Sequence, residues 1–345
     1  MVAIRNAKIA ARRYVSAVGV TVLSALLLLA GGCKKPKTTA TSNHTSAADT
    51  HNTTAVVAPA ANNNETTTTA LDREVITKHQ TACNAGDFAE CNDLGTLYQD
   101  GTGVGKDATH AAALYQRACA GGFMVGCSNL GFSYQVGAGV TKDLAKAAQF
   151  YQQACTGGDL LSCSNLGLFY ENGDGVTKDA TKALALYSQA CVRGDMPGCS
   201  NLGLMYENGN GVSQDFTKAA SLYQQACTSG EMIACSNLGK LYDNGYGVSK
   251  DTVKAAVFYA QACAGSIAVA CSNLGFFYEN GTGVTTDTAR AASLYQQACD
   301  GDFMAGCYNL GLLYQHGAGV AKDASKAVAL FSQACSGGFV DACRQ

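Results

Sequence analysis

The sequence has little histidine and, after its basic N-terminus, no concentration of positive charge. Five histidines occur in 345 residues: His44, His51, His79, His110 and His316. A zinc centre needs clustered ligands, and these residues are scattered singly, so we expect no metal and no cofactor. Lys and Arg total 24 against 26 Asp and Glu, with no basic stripe, which argues against a nucleic-acid partner.

The N-terminus combines a basic start with a short apolar run. Residues 1–13 carry four basic side chains and no acid, and residues 14–30 are apolar or small. This order predicts a signal peptide over residues 1–32. The run ends at Cys33 and resembles the bacterial lipoprotein signal, in which that cysteine is lipidated, although Ala30 stands where a branched aliphatic residue is preferred. The alternative is a plainly cleaved signal.

Residues 33–70 are rich in Thr, Ala and Asn and show no period. Such a segment buries too little apolar surface to offset its ordering entropy, so we predict a flexible tether. Lys34 follows the cysteine where an aspartate would favour the inner membrane. We therefore predict an exported lipoprotein of the outer membrane, facing the periplasm or the cell surface.

The remaining cysteines come in pairs at a spacing of eight, and the pairs recur every 36 residues. A fixed period of this length predicts a solenoid of stacked units. In an exported chain the pairs indicate disulfides, since the seven-residue gaps and the scarcity of histidine argue against zinc. The predicted bridges are Cys83–Cys91, Cys119–Cys127, Cys155–Cys163, Cys191–Cys199, Cys227–Cys235, Cys263–Cys271, Cys299–Cys307 and Cys335–Cys343.

Each repeat predicts an antiparallel pair of helices. In residues 163–198 small and apolar residues recur at helical spacing in two stretches. Gly173 is placed to end the first helix and Asp179 to cap the second. The solenoid is predicted over residues 71–345, with an opening helix at 71–83 and seven full repeats over 91–342. The two inward stripes are Cys163, Leu166, Gly167 and Tyr170, and Ala183, Leu186, Tyr187 and Ala190.

The repeat "CSNLGLFYENGDGVTKDATKALALYSQAC" resembles the Sel1-like repeat, a relative of the tetratricopeptide repeat. Its paired cysteines resemble the disulfide-rich Helicobacter cysteine-rich protein family. The resemblance implies an all-α, α/α superhelical solenoid, a periplasmic or secreted location, and a scaffold role in protein–protein interaction. It also implies, as an alternative, β-lactamase or penicillin-binding activity. No serine is followed by lysine at the third position, so this alternative rests on the resemblance alone.

Each first helix has a face opposite its inward stripe, and these faces together predict a groove for a peptide or protein ligand. We expect the chain to be a monomer. Each face carries an Asn for peptide backbone and a variable, mostly apolar residue for side chains. The alternative is that each Asn bonds to the neighbouring repeat. The predicted ligand-binding residues are Asn129, Phe132, Asn165, Leu168, Asn201, Leu204, Asn237, Lys240, Asn273, Phe276, Asn309 and Leu312.

The loop between Cys191 and Cys199 contains the tripeptide Arg193-Gly194-Asp195, which many extracellular adhesive proteins present to integrins. Equivalent loops have a central Gly and commonly an acid after it, so only Arg193 departs from the repeat pattern. Chance occurrence is therefore one interpretation. The other is an adhesin, because a disulfide-constrained loop lowers the entropy cost of binding.

Overall fold

The computed structural model describes residues 70–345. The predictions for the signal peptide, for Cys33 and for the tether lie outside the described residues. Within residues 70–345 the chain forms fifteen α-helices and a 3₁₀ helix, with no strand. The elements are α1 Ala70–Asn84, α2 Phe88–Asp100, α3 Ala108–Ala120, α4 Met124–Val136, α5 Leu144–Thr156, α6 Leu160–Asn172, α7 Ala180–Val192, α8 Met196–Asn208, α9 Phe216–Thr228, α10 Met232–Asn244, α11 Thr252–Ala264, α12 Ala268–Asn280, α13 Thr288–Asp300, α14 Met304–His316, α15 Ala324–Ser336 and the 3₁₀ helix Val340–Arg344.

The helices form seven units, each made of a first helix (the even-numbered helices α2 to α14) and the second helix that follows it. Every helix packs against its neighbours in sequence, and in three pairs of successive units the first helices also touch directly: α2 with α4, α6 with α8, and α12 with α14. The predicted all-α, α/α solenoid of helix pairs is thus confirmed.

Local signals set the helix ends where the sequence predicts them. The first helix α6 ends at Gly173, whose φ of 85° is left-handed and whose N–H donates to the carbonyl of Phe169. Glycine tolerates this conformation because it lacks a Cβ. The second helix α7 begins after Asp179, whose carboxylate accepts a hydrogen bond from the Lys182 N–H. Both predicted caps are confirmed.

All eight predicted disulfides are present. Each joins the end of one helix to the start of the next, with Cα–Cα distances from 4.5 to 4.9 Å. This is near the short end of the range that disulfides span. The half-cystines are buried except Cys335, which is half-buried, and Cys343, which is exposed.

The core of each unit is built from tyrosines packed against glycines. Tyr187 on α7 is fully buried, and a Cβ added at Gly167 on α6 would lie 2.7 Å from its Cε1 atom. The predicted inward stripes need two corrections, because Tyr170 and Leu186 are only half-buried. Phe169 is instead 1 % exposed, and the Tyr170 ring lies under the Lys182 ammonium, 5.0 Å from its centroid.

Glycine also lets successive units stack closely. Gly175, in the loop between α6 and α7, has a φ of 64° and lies against the start of α5 in the preceding unit. A Cβ there would be 2.2 Å from the carbonyl carbon of Leu144, so a larger residue would separate the two units. No helix within residues 70–345 has the length and apolar character needed to cross a membrane.

Candidate ligand-binding face of the first helices

The same three positions recur on the surface of first helices α4 to α14: the second, fifth and ninth residues after the cysteine. We call this surface the first-helix face. Each first helix follows a disulfide-closed loop and stops at a left-handed glycine, so the positions repeat in register. The residues at the ninth position are all exposed: Val136, Asn172, Asn208, Asn244, Asn280 and His316.

The amides at the second position lie between the surface and the neighbouring unit. Asn129 is 9 % exposed, and its Nδ2 donates to Asn92 Oδ1 of the preceding unit at 2.7 Å. The Asn273 side chain is hydrogen-bonded to Tyr259 of the preceding helix. At these two sites the amide has a protein partner, and Asn201 also has a partner within the protein. The other four amides are half-buried: Asn165, Asn201, Asn237 and Asn309.

The fifth position is the apolar part of the face. Phe276 is 52 % exposed, an unusual state for a phenylalanine on a helix. Phe132, Leu168, Leu204 and Leu312 occupy the same position in other units and are half-buried. The repeat therefore places apolar side chains in one row, broken once by a lysine.

That lysine, Lys240, forms an ion pair with Glu207 of the preceding unit. The Glu207 side chain is only 10 % exposed, and its second oxygen accepts a hydrogen bond from the Tyr223 hydroxyl at 2.9 Å. A buried carboxylate needs such partners because desolvation otherwise disfavours its charge. Lys240 thus has a structural partner in addition to its place on the predicted face.

A row of polar residues beside the face was missed in the sequence. In five units the buried tyrosine of the second helix donates its hydroxyl to a Gln or Glu of the first helix, sixteen residues earlier. The pairs are Tyr115–Gln99, Tyr151–Gln135, Tyr187–Glu171, Tyr223–Glu207 and Tyr295–Glu279. The signal was present, because a Gln, Glu or Asp follows the first-helix tyrosine in every unit.

The Arg193-Gly194-Asp195 loop presents its three residues unequally. Arg193 and Gly194 are exposed, but Asp195 is the N-cap of α8. Its Oδ2 accepts hydrogen bonds from the Gly198 N–H at 2.8 Å and from Ser164 Oγ at 2.5 Å. Burial raises the pKa of Asp195, while these two hydrogen bonds lower it. Engaging a partner through this carboxylate would disrupt the cap, which argues against the adhesive interpretation.

Thiol and metal chemistry can be assessed directly from the described residues. The paired cysteines are oxidised, so they supply no thiolate for nucleophilic attack. Within residues 70–345 no group of three or more His, Cys, Asp or Glu side chains is arranged to hold a metal ion.

Comparison with known families gives one match, to the Sel1 repeat. It covers seven segments: residues 91–123, 125–159, 160–195, 197–231, 233–266, 268–303 and 305–339. These segments follow the units seen in the structure. A search of curated proteins gives no match.

Several solved structures are similar. A protective antigen present in uropathogenic Escherichia coli strains, with an SLR fold, is 27 % identical with a TM-score of 0.66. The match covers 77 % of this chain but only 57 % of the antigen. A Sel1 repeat protein from Oxalobacter formigenes is 30 % identical with a TM-score of 0.60, over 65 % of this chain and 99 % of that one. Helicobacter pylori cysteine rich protein B is 36 % identical over 38 % of this chain and 93 % of its own, with a TM-score of 0.32.

Proposed function

The chain belongs to the Sel1 repeat family, whose members serve as protein-interaction scaffolds, and we propose that it binds an extended peptide or protein segment along the first-helix face. One observation carries this proposal: Phe276 is 52 % exposed and lies in register with a row of half-buried apolar residues. An ordered row of partly exposed apolar side chains is typical of a surface that has a partner.

The arrangement of the first helices supports a groove. In three pairs of successive units the first helices touch directly, as α12 and α14 do. Such close approach is expected on the inner side of a curved solenoid, where extended ligands bind. Amides beside the apolar row would hydrogen-bond the ligand backbone, and the apolar residues would contact its side chains.

The site of action is proposed from the disulfides. Eight disulfides in one chain are typical of a protein that folds outside the reducing cytosol. We propose that Cys33 is lipidated and that residues 33–70 tether the solenoid to the outer membrane. Together these features describe an envelope scaffold held at a membrane surface by a lipid.

The test uses the full chain with its disulfides intact and a peptide selected on it from a random library. Replacing Asn201 and Asn237 together with Ala should weaken binding by about 1–3 kcal/mol, as expected for lost buried amide hydrogen bonds. Phe276→Ala should also weaken binding by removing an apolar anchor. Val257→Ala is the matched control, because Val257 is 60 % exposed on the second helix α11, away from the face.

Thermal melting separates ligand binding from inter-repeat bonding. If the amides serve a ligand, binding falls while the melting temperature changes little. A large drop in melting temperature with unchanged affinity would contradict the groove and leave the asparagines as bonds between units. Equal losses for Phe276→Ala and Val257→Ala would place the ligand elsewhere.

A further inference from the structure

The ion pair between Lys240 and Glu207 shows how a cation fits on this face. Lys240 is the fifth residue after Cys235 in α10, and Glu207 lies 33 residues earlier, near the end of α8. The ammonium binds one carboxylate oxygen, and the Tyr223 hydroxyl binds the other. A carboxylate of one unit is therefore adjacent to the fifth position of the next.

The two repeats that follow Lys240 place an acid and an apolar residue at the same two positions, without a lysine. One repeat further, Asp243 stands in the place of Glu207, and Phe276 takes that of Lys240. One repeat beyond that, Glu279 and Leu312 occupy the two places. Among the ion pairs formed within residues 70–345, none involves Asp243 or Glu279.

A core tyrosine hydroxyl holds Glu279 in position, and Asp243 lies near another buried tyrosine. The Tyr295 hydroxyl donates to Glu279 Oε2 at 2.7 Å, which orients that carboxylate. Asp243 lies close enough to the buried Tyr259 for its negative charge to help raise the pKa of that phenol, although burial is the larger cause. Both carboxylates are half-buried, and Phe276, three residues before Glu279 on α12, is 52 % exposed.

The charge of the central first helices is mainly negative. The four central first helices, α6, α8, α10 and α12, carry four carboxylates and a single cation, Lys240. Glu171 is the most fully satisfied acid without a cation, because Tyr187 and Asn210 donate to its two oxygens. The unbalanced charge therefore lies at Asp243 and Glu279, on both sides of Phe276.

We propose that the segment bound by the first-helix face is basic, with a Lys or Arg side chain lying on the Phe276 ring between Asp243 and Glu279. The inference rests on the proposed function and specifies its ligand. An aromatic face attracts a cation, and carboxylates add charge-assisted hydrogen bonds. The cation of the ligand would form ion pairs with these two acids, as Lys240 does with Glu207.

The test compares two nine-residue peptides that differ only in charge, one alternating Leu with Arg and the other Leu with Glu. Isothermal titration calorimetry against the full chain should show binding of the Leu/Arg peptide. Binding should weaken as the salt concentration is raised from about 0.1 to about 0.5 M, because the Debye length falls well below 10 Å over that range. Asp243→Asn combined with Glu279→Gln should weaken that binding about tenfold. Lys240→Met should strengthen it, because the Glu207 carboxylate then becomes available to the peptide.

Glu171→Gln is the matched control and should have little effect, since its oxygens already have protein donors. Preference for the Leu/Glu peptide, binding of neither peptide, or affinity unchanged by the Asp243 and Glu279 variants would overturn the charge inference. The proposed function would survive those results if library-selected peptides still lost affinity with Phe276→Ala and not with Val257→Ala. If that loss is absent as well, both proposals fall.

Discussion

Gly167→Ala tests whether tyrosine–glycine packing holds each unit together. Glycine inside a helix is unfavourable by about 0.5–1 kcal/mol relative to alanine, so propensity alone favours the substitution. The structure opposes it, because the new Cβ would lie 2.7, 2.9 and 3.1 Å from three atoms of the Tyr187 ring. The ring would have to move by several tenths of an ångström to restore ordinary contact.

The Tyr187 ring has little freedom to make that movement. It is fully buried, and its hydroxyl donates to Glu171 Oε2 at 3.0 Å. Overpacking of a core costs about 1–3 kcal/mol, and a strained hydrogen bond adds about 1 kcal/mol. After subtracting the gain in helix propensity, we expect the free energy of unfolding to fall by about 1–3 kcal/mol.

Urea unfolding followed by circular dichroism measures the change. Gly105→Ala is the matched control, because nothing lies within 4 Å of a Cβ at Gly105 and its backbone is outside the left-handed region. That variant should be neutral or slightly stabilising. If Gly167→Ala were as stable as Gly105→Ala, the proposed packing of Tyr187 would be wrong.

Three further predictions concern the bridges, the caps and the anchor. Peptide mapping without reduction should find only pairs eight residues apart, and a bridge between more distant cysteines would refute the pairing. Replacing Cys191 and Cys199 with Ala should lower the free energy of unfolding by at least about 2.5 kcal/mol, the loop-closure contribution. Asp195→Ala should lower the free energy of unfolding by about 0.5–2 kcal/mol because the helix cap is lost, whereas Asp195→Asn keeps the cap. Burial raises the pKa of Asp195, so the stability that its protonation contributes grows as the pH falls through that raised pKa towards 3.8 and is lost as the pH rises. The melting temperatures of wild type and Asp195→Asn should therefore diverge with pH. Melting temperatures that stay parallel would contradict the raised pKa. Cys33→Ser should abolish membrane fractionation and leave folding intact, so unchanged membrane association would exclude a lipid anchor at Cys33.

The sequence predicts most of the fold because the signals that define a unit are local. The cysteines of a pair are eight residues apart, Gly173 ends the helix that contains it, and Asp179 caps the helix that follows it. The fixed period then extends one unit to all seven. Nothing in these inferences requires knowledge of contacts between distant residues.

Apart from the alternative that each Asn bonds to the neighbouring repeat, contacts between units were not predicted, because periodicity does not specify which side chains meet across the stack. Asp195 binds Ser164 from 31 residues away, and Lys240 binds Glu207 from 33 residues away. The first contact ties Asp195, a supposed recognition residue, to the preceding unit. The second shows that part of the predicted face is already used inside the protein, which shifts attention to Phe276.

Methyl nuclear magnetic resonance during titration with a library-selected peptide tests the first-helix face most directly. Leu168, Leu204 and Leu312 report on the face, while Val253 and Val257, each 60 % exposed on α11, report on a second helix. Our account predicts that the three leucine methyls shift in proportion to bound peptide and that the valine methyls stay unchanged. Shifts at the valines with unchanged leucines would contradict it.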